Sequence, residues 1–447
     1  MEEKITISII IWTKATNPVF FRDCLESIAA QDYRDFELVI LDENPTREVT
    51  RLATELFPHD GRLQYYRLKA HKGLSYALNV GLHRKSGNYV YFLGQHDRLS
   101  DDALSLFVKE IKAHPDVEII YSDRDELVGI HRMNPAFLPD FNVELLRHTN
   151  YIGDSALFSV EGLKRLGTLK EQLESAAVYD LLLRAIEKRA YVRHIPRLLY
   201  HKRIVSDAVP SPQTKKLLEQ VYREHVTAAS AHLHRMEIPG RVISDRSGEY
   251  WRIHYDGSDA RSHRKEYIVV HESGVAVRNA HFVERMYGIL RQKDVGIVGV
   301  RYEKRGFLID NCGYIFDEKG LVYPACSDQA ALSKGYLNRA ILPHDVSMVD
   351  QALFMIDTKV LERVGGFDRR LTGRALMLDL CLKVWQAHRR VVFDPGVVAR
   401  KRTEQDNIFE EASIAALYDM WKDTLSSGDP FYNRNLPMGL QNYLLYS

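Results

Sequence analysis

Residues 71–97 read HKGLSYALNVGLHRKSGNYVYFLGQHD, and this stretch carries the clearest information about the fold. Gly73–His83 has the apolar spacing of a helix, a Ser-Gly pair then indicates a turn, and Tyr89–Leu93 is an apolar run typical of a buried strand. Polar residues follow at once in Gly94–Asp97. The stretch therefore predicts a helix, a turn and a strand, with polar side chains where the strand ends.

The same alternation of strands and helices extends towards the N-terminus. Ile5–Ile11 is a β-branched apolar run, which is typical of a strand buried on both faces. Asn17 and Pro18 indicate the start of a helix. Alternation with short connections predicts a doubly wound α/β sheet. Further signals predict strands at Phe36–Leu41 and Leu63–Leu68 and a helix from about Thr46.

Sheets of this kind bind ligands beyond the carboxyl ends of their strands. The polar residues at those ends are Thr13 after the first strand, Asp42 after the second, and Gly94–Asp97 after the fourth. They are the first candidates for a binding site. Asp42 could equally cap a turn, and Asp97 could cap a helix that begins near Ser100.

The composition is that of a globular protein long enough for about two domains. Of the 447 residues, 45% are apolar and 27% are charged, and the formal net charge of +1 argues against nucleic acid as a partner. The four cysteines form no CxxC pair, which disfavours structural zinc and favours a reducing cytoplasm. No signal-peptide pattern and no apolar run of about 18 residues is present. We expect a cytoplasmic protein, at most peripheral at the inner face of the membrane.

A change of composition after Arg203 predicts the domain organisation. Residues 1–204 should form the first α/β domain, and residues 205–265 a linker that contains one helix. A second α/β block is expected at residues 266–402, and a C-terminal helical tail at residues 403–447. The strand signals of the second block are Tyr267–Val270, Val295–Val300 and Val392–Asp394, and the helix signals of the linker, block and tail are Thr214–Arg235, Met377–Ala387 and Ile408–Leu425.

Several phrases of the chain resemble family 2 glycosyltransferases. ISIIIWTK, ELVILDEN and residues 71–97 follow, in order and spacing, the nucleotide-binding half of that family. The resemblance continues in the segments YSDRDEL, YDLLLRAIEK and LLYHKR. A second module of the same family is resembled by the later segments VGIVGV, VERVGGFDRRL and LDLCLKV. Bacterial members that build surface polysaccharides often carry two such modules in tandem. The resemblance implies a Rossmann-like nucleotide-diphosphosugar transferase fold, plus a second, truncated module of the same fold.

The resemblance also assigns roles to particular residues. Thr13 and Asp42 match positions that contact the nucleotide sugar. Asp97 belongs to the acidic motif that binds this donor through Mn or Mg, a cation that neutralises the pyrophosphate leaving group. His201 matches a histidine that often completes the metal site. The positions that contact a glycan acceptor fall on Asp123 and Asp125, which are equally good turn formers.

The chain departs from the family at the metal motif. Where the family reads L-D-x-D-D, this chain has Gly94 and His96 in place of the first two aspartates, and Asp97 is kept. His96 can still ligate a transition metal. The remaining candidate ligands are therefore Asp97, His96 and His201, and we expect Mn or Mg to bind weakly or not at all.

The general base that an inverting transferase needs is also replaced. Its position falls on Val178, which cannot accept a proton. Asp180 is the nearby carboxylate, although the matching family residue is usually structural. In the second module the base position falls on Met377 and the late histidine on Arg400. There the phrase KEYIVVHES already resembles the fourth strand and its acidic motif, so the sequence predicts that the earlier strands are missing.

These losses predict a family 2 glycosyltransferase homologue of bacterial surface-glycan or glycoprotein biosynthesis with impaired catalysis. It would act as an accessory or scaffold to an active transferase. The expected partners are a glycan acceptor, an active glycosyltransferase or a second copy of the chain, and a nucleotide sugar held weakly or not at all. Two alternatives stay open. One is an active, metal-dependent sugar transferase with an atypical site built from Asp97, His96, His201 and Asp180, and the other is a carbohydrate-binding module.

Overall fold

The computed structural model describes residues 4–69, 72–204, 212–245, 250–402, 411–439 and 443. These residues form two compact units. The first comprises the described residues up to Phe141 together with Asn150–Met236, and the second comprises Asn142–Thr149, Glu237–Asp245 and the described residues from Tyr250 onward. The predicted linker thus contributes to both units, and the boundaries near residues 204 and 265 remain predictions.

The first unit alternates strands and helices, and the elements predicted before residue 97 are confirmed with ends that shift by one or two residues. Its strands are β1 (Ile7–Thr13), β2 (Phe36–Asp42), β3 (Leu63–Arg67), β4 (Tyr89–Phe92), β5 (Arg98–Leu99), β6 (Ile119–Val128), β7 (His131–Ala136), β8 (Ala156–Ser159) and β9 (Val192–Arg203). Its helices are α1 (Pro18–Ala29), α2 (Glu48–Leu56), α3 (Leu74–Arg84), α4 (Ala103–Ala113), α6 (Val160–Leu166), α7 (Ala177–Lys188) and α8 (Pro212–Arg235), while α5 (Val143–His148) belongs to the second unit. Among the helices that the structure describes, none is long and apolar enough to cross a membrane.

Nine strands of the first unit form one mixed sheet in the order β3-β2-β1-β4-β8-β6-β9-β5, with β7 paired to β6. Strands β1 to β4 are parallel, β8 is antiparallel to both of its neighbours, and β6 is parallel to β9. The chain winds outward from β1 to β3 and then returns to the other side of β1 to form β4. The sheet is therefore doubly wound, as predicted, and its switch point lies between β1 and β4.

Strand β1 is an apolar, buried strand in the middle of this sheet. Its isoleucines are fully buried, as a strand covered on both faces requires. The Asn17 side chain caps α1 by accepting hydrogen bonds from the amides of Val19 and Phe20. Gly81 of α3 lies so close to β1 that a Cβ there would be 2.7 Å from Cγ2 of Ile10. Helix α3 therefore packs directly on the centre of the sheet.

The second unit is built mainly from short strands. Its strands are β10 (Gly240–Ser244), β11 (Trp251–Tyr255), β12 (Tyr267–His271), β13 (Val275–Val277), β14 (Val295–Lys304), β15 (Leu308–Asn311), β16 (Tyr314–Phe316), β17 (Val322–Pro324), β18 (His344–Asp345), β19 (Leu353–Asp357) and β20 (Arg390–Lys401). Besides α5, its helices are α9 (Phe282–Leu290), α10 (Thr358–Arg363), α11 (Gly373–Gln386) and α12 (Glu411–Ser426). Its seven-stranded sheet has the order β12-β19-β14-β20-β13, with β15 on β14 and β18 on β20.

The second sheet repeats one half of the first. The neighbouring strands of the second sheet are, in order, β12, β19, β14, β20 and β13. Each neighbouring pair is parallel or antiparallel in the same way as the corresponding pair in the series β4, β8, β6, β9 and β5. Strand β15 pairs with β14 as β7 pairs with β6. Within the described part of the second unit, no strand corresponds to β1, β2 or β3. The predicted truncation of the second module is confirmed.

The strand registers show which residues of the two sheets correspond to each other. In the first sheet Arg98 pairs with His201, and in the second Ala276 pairs with Arg400. Arg400 therefore occupies the position of His201, as predicted from the sequence. The second unit has kept the strand that carries this residue and has replaced its imidazole by a guanidinium.

The start of the repeat is fixed in the same way. Tyr89 begins β4 and Tyr267 begins β12, and the residue paired with each of them caps the helix that follows. Counting onward from this pair, Glu272 occupies the position of Gly94. The second unit thus keeps one carboxylate at the first position of the former acidic motif.

A buried ionic cluster holds α5 within the second unit. The guanidinium of Arg390 donates hydrogen bonds to Asp345 (2.7 Å), Asp294 (2.9 Å) and Glu144 (3.1 Å). Burial acts to raise the pKa of Asp294, but the Arg390 cation outweighs it and lowers that pKa to about 2. Glu144 belongs to α5, which lies in the sequence between two strands of the first unit. No local sequence pattern indicates that this helix belongs to the second unit.

Arg390→Met should lower the free energy of unfolding by about 3–5 kcal/mol at pH 7, because buried carboxylates lose their cation. Since the folded pKa of Asp294 lies below its ordinary 3.8, its contribution is complete above about pH 4 and is lost as the pH falls towards 2. The difference between variant and wild type should therefore shrink over that interval.

Chemical denaturation between pH 7 and pH 2 measures both effects. Arg389→Met is the matched control, because it removes a neighbouring cation that lies outside the cluster. An equal loss of stability in the two variants would contradict the assignment.

Candidate functional site

The switch point between β1 and β4 is the place where a doubly wound sheet offers a crevice for a ligand. The two strands are parallel neighbours, so their carboxyl ends lie at the same edge. Thr13 and Asp42 are paired residues at the ends of β1 and β2. The loop of residues 14–17 follows β1, and the loop of residues 93–97, which carries the altered acidic motif, follows β4. The two loops contact each other directly.

Gln95 forms most of this contact. Its Oε1 accepts hydrogen bonds from the Lys14 amide (3.2 Å) and from the Thr16 hydroxyl (2.6 Å). Its Nε2 donates to the Lys14 carbonyl at 2.9 Å. A single side chain of the motif thus uses both of its polar atoms to hold the loop after β1. The family resemblance implies no role for Gln95, because the matching position of the motif is variable.

His96 adds a second contact between the same loops. Its Nε2 accepts a hydrogen bond from the Asn17 amide at 3.1 Å, and its ring packs edge-on against Phe20 with 5.8 Å between the ring centroids. Burial lowers the pKa of His96, and the nearby Arg203 cation lowers it further. The ring is therefore held in the neutral form that can accept from Asn17, and the nitrogen predicted to bind a metal is engaged.

Asp97 is turned into the protein. Its Oδ2 accepts from the Tyr200 hydroxyl (2.6 Å) and its Oδ1 from the Arg203 amide (2.8 Å). Burial raises the pKa of Asp97. A Cβ built on Gly94 would lie 2.1 Å from Oδ2 of Asp97. The carboxylate of Asp97 thus occupies the space next to Gly94 that the first aspartate of the family motif would need.

Arg203 holds the back of this loop. Its guanidinium donates to the His96 carbonyl (3.0 Å), the Gly129 carbonyl (2.9 Å) and the Asp23 carboxylate (2.8 Å). It also lies over the Phe20 ring at 4.4 Å from the centroid. The resemblance of LLYHKR to the family singles out His201, whereas the contacts to Asp97 come from Tyr200 and Arg203. Only the three-dimensional register of β9 shows this.

Asp42 is fully buried and its carboxylate is satisfied inside the protein. Oδ1 accepts from the Thr13 hydroxyl (2.9 Å) and the Asn44 amide (2.9 Å), and Oδ2 accepts from the Tyr65 hydroxyl (2.5 Å). The network joins the ends of β1, β2 and β3. Thr13 and Asp42 thus meet at the carboxyl edge of the sheet, and their contact with a nucleotide stays a prediction.

His201 lies in a different network from His96. Its Nδ1 bonds Oδ1 of Asp125 (2.6 Å) and its Nε2 bonds the Ser100 hydroxyl (3.0 Å). The other oxygen of Asp125 accepts from Arg132 at 2.7 Å. Both ring nitrogens of His201 therefore have protein partners. The predicted acceptor residue Asp125 thus acts here as a partner of the predicted metal ligand.

Asp123, the other predicted acceptor residue, is also fully buried. Its Oδ1 accepts from the Leu138 amide (2.8 Å) and bonds Nε2 of His194 (2.9 Å). The structure therefore places Asp123 beneath the surface of the unit. The sequence signal for it, a turn-forming YSDRDE segment, is part of the continuous strand β6.

These contacts test whether the site fits Mn or Mg. Both oxygens of Asp97, Nε2 of His96 and both nitrogens of His201 are engaged with protein groups. Such cations need several free oxygen ligands arranged around one point. Across the ranges that the structure describes, no group of three His, Cys, Asp or Glu side chains is placed to hold a metal ion. The residues present do not fit a divalent cation.

The position of the general base is buried and apolar. Val178 lies in the first turn of α7 and is only 4% exposed. Asp180, the remaining candidate, is fully buried, and its carboxylate accepts from Arg184 (2.9 Å), Arg235 (3.2 Å) and Lys170 (3.4 Å). Three cationic side chains hold the carboxylate in place. A carboxylate so arranged stabilises the fold and has little access to an acceptor hydroxyl.

The sheet order, the switch-point edge and the loop after β4 define an α/β domain of the nucleotide-diphosphosugar transferase type. Residues 8–167 match the family model of glycosyl transferase family 2, so the chain contains a glycosyltransferase family 2 domain.

The chain is also similar to several known proteins. The uncharacterized protein y4gI of Sinorhizobium fredii is 26% identical over 539 aligned positions, which cover 99% of this chain and 58% of that protein. The O-antigen biosynthesis protein RfbC of Myxococcus xanthus is 31% identical over 251 residues, 56% of this chain and 20% of that protein. The chain thus spans about three fifths of the first relative and a fifth of the second. A crystal structure of S. aureus TarS 1–349 is 18% identical, covers 52% of this chain and 71% of that one, and gives a TM-score of 0.39.

Gly94→Ala should destabilise the first unit by about 1–3 kcal/mol, because the new Cβ displaces a carboxylate that Tyr200 and Arg203 hold in place. Thermal and denaturant unfolding measure the loss. Gly61→Ala is the control, since a Cβ there meets no atom within 4 Å. If both variants kept wild-type stability, Asp97 would be free to move and the site would be open.

Proposed function

We propose that this protein is a family 2 glycosyltransferase homologue of bacterial surface-glycan or glycoprotein biosynthesis that has lost donor chemistry and serves as an accessory or scaffold to an active transferase. The contact between the loops after β1 and β4 carries this proposal. Gln95 and His96 stand in the motif that should bind the metal and pyrophosphate, and they bind Lys14, Thr16 and Asn17 instead. Because these contacts lie at the switch point, they occupy the crevice that a nucleotide sugar would need.

Two further observations support the proposal. Transfer to an acceptor hydroxyl needs a proton acceptor, and Val178 supplies none. The second unit lacks counterparts of β1, β2 and β3 among its described residues, so it has no switch point of its own. Losses at the donor site, at the base and in the second unit are independent of each other. All three point away from autonomous catalysis.

The relatives support the proposed setting. RfbC is named for O-antigen biosynthesis, and a relative 28% identical over 171 residues is named a PGL/p-HBAD biosynthesis glycosyltransferase of Mycobacterium tuberculosis. The four cysteines are buried and form no disulfide, which supports a cytoplasmic site of action for the proposal. The partner in this proposal is an active transferase that uses the same acceptor.

The purified full-length protein should transfer no sugar above background from a panel of uridine, guanosine and thymidine diphosphate sugars with Mn or Mg. Val178→Asp should not restore transfer, because the metal ligands and the base act as a unit and a single replacement cannot supply both. Release of nucleoside diphosphate, measured by coupled assay, gives the readout. Metal-dependent turnover that disappears in Asp97→Asn would refute the proposal.

One observation favours an active transferase with an atypical site. Glu174 precedes α7 by three residues and lies half-buried, with its Oε2 accepting from the Leu74 amide at 2.5 Å. Burial raises the pKa of Glu174, and the neighbouring carboxylates of Glu224 and Glu43 raise it further. A carboxylate with a raised pKa is a better general base near neutral pH than an ordinary one. Glu174 could therefore replace the base lost at Val178.

Glu174→Gln separates the two functions. In an active transferase the substitution should lower kcat by about 10²- to 10⁴-fold and leave the KM for the donor unchanged. In the accessory protein it should change neither donor binding nor background turnover. Glu171→Gln, three residues earlier on the exposed side of the same segment, is the control.

A further inference from the structure

Strand β12 forms an open edge of the second sheet. It pairs with β19 on one side, and on its other side no strand of the described part of the chain pairs with it. Its residues Ile268 and His271 are exposed, and Val269 and Val270 are half-buried. An edge strand with unpaired backbone groups and apolar side chains is a template for a further strand.

The hydrogen bonds at the ends of β12 show which backbone groups face this edge. The Glu266 carbonyl accepts from the Thr358 amide, and the Glu272 amide donates to the Ala352 carbonyl. Even-numbered residues therefore point their backbone groups towards β19. In an antiparallel pair the groups alternate. The amides and carbonyls of Tyr267, Val269 and His271 consequently point to the open side.

The first sheet shows what covers the same edge when the fold is complete. Strand β4, the counterpart of β12, pairs with β8 on one side and with β1 on the other. The pairing with β1 is parallel and runs from Ile7 opposite Tyr89 to Ile10 opposite Phe92. The covering strand is apolar on both faces. It ends at Thr13, and the amide of the next residue, Lys14, contacts the loop after β4.

A groove lies beside the carboxyl end of β12. It has a volume of about 420 Å³, and its walls include Val270, Phe354, Phe367, Leu371 and Met377. Phe367 is 43% exposed, so its ring adds to the exposed apolar surface of the groove. The groove also contains Thr372 and Gly373, at the start of α11.

The same place in the first unit is filled. There the segment before α7 accepts hydrogen bonds from the start of α3: the Ser75 hydroxyl donates to the Leu173 carbonyl at 2.8 Å, and the Leu74 amide donates to Glu174 at 2.5 Å. Helix α11 is the counterpart of α7, and the described part of the second unit has no counterpart of α3. The groove is the space that the strand-and-helix segment β1–α3 leaves when it is missing.

We propose that the β12 edge and this groove bind an apolar β-strand of a partner protein, parallel to β12, with the partner chain continuing into the groove. The exposed carboxylate of Glu272 lies at the end where the partner strand would finish, so a basic residue should follow that strand, as Lys14 follows β1. This inference rests on the proposed accessory function, and it names the surface through which the active transferase is held.

A second copy of this chain fits the edge less well than a different protein. Two identical edges related by a two-fold axis pair in antiparallel fashion, whereas the first sheet shows parallel pairing. An antiparallel pair centred on Val269 would also place Glu266 of one chain opposite Glu272 of the other. Like charges directly opposite each other destabilise a strand pair.

The test uses the full-length protein and a defined probe. The probe is the segment ITISIIIWTK, residues 5–14, fused to a soluble carrier, because this segment covers the equivalent edge of the first sheet. Binding is followed by fluorescence anisotropy and by hydrogen exchange. We expect saturable binding, with new protection of the amides of Tyr267, Val269 and His271 and none for the even-numbered residues of β12, which are protected already.

Val269→Pro removes an amide that faces the open edge and leaves the bonds to β19 in place, so it should weaken probe binding at least tenfold. Val269→Thr keeps the amide and is the control. Glu272→Lys should weaken binding by repelling the basic end of the probe. The hydrogen-exchange pattern of the wild type tests the edge independently, should the proline variant fold poorly.

Each other outcome overturns the inference. Absence of probe binding, or binding that Val269→Pro leaves unchanged, would show that the edge is not a strand acceptor. Dimers in sedimentation equilibrium that Val269→Pro abolishes would make a second copy the occupant. The proposed accessory function is tested by a separate experiment, the sugar-transfer assay on the isolated protein, which contains no strand probe. Sugar transfer in that assay would contradict the accessory function.

Discussion

Hydrogen bonds between the loop after β4 and the loop after β1 are the contact on which the proposed function of the first unit depends. The fold creates a crevice at the switch point wherever these two loops stay apart. Gln95 holds Lys14 and Thr16, and His96 holds Asn17. Behind them Tyr200 and Arg203 keep Asp97 turned inward. The altered motif is therefore a connected structure with its own contacts, and restoring one aspartate would have to break several of them.

The second unit shows how much of this fold can be removed. Among its described residues it has strands that correspond to β4, β8, β6, β9 and β5, and none that corresponds to β1, β2 or β3. The remaining sheet is stabilised from inside by the cluster around Arg390, in which Glu144 of α5 takes part. Because the half that was lost would have covered β12, the truncation leaves one open strand edge and an apolar groove. The missing counterparts of β1, β2 and β3 therefore explain both the absence of a switch point and the open edge of β12 in the described part of the second unit.

Much of the fold was predictable from the sequence. The apolar runs of β1, β2 and β4 have the composition of strands buried on both faces, and the Asn-Pro start of α1 is a strong local signal. The truncation of the second module was also predictable, because KEYIVVHES matches a strand in the middle of the sheet. Neither prediction needed long-range information.

The site was less predictable for a physical reason. Sequence position places Asp97, His96 and His201 near one edge, but their partners are set by the register of β9 and by side-chain direction. Tyr200 and Arg203, one and two positions away from His201 in the sequence, hold Asp97, while His201 bonds Asp125 and Ser100. The placement of α5 in the second unit depends on a buried ionic cluster between residues more than 200 positions apart. Local patterns carry no information on such contacts.

Hydrogen exchange at the amides of Lys14, Thr16 and Asn17 tests the central claim most directly. In the structure these amides donate to Gln95, Asn44 and His96. The account predicts that all three exchange slowly in the free protein and that millimolar nucleoside diphosphates with Mn leave their rates unchanged. Rapid exchange in the free protein that becomes slow on addition of nucleotide and Mn would show an open donor crevice and contradict it.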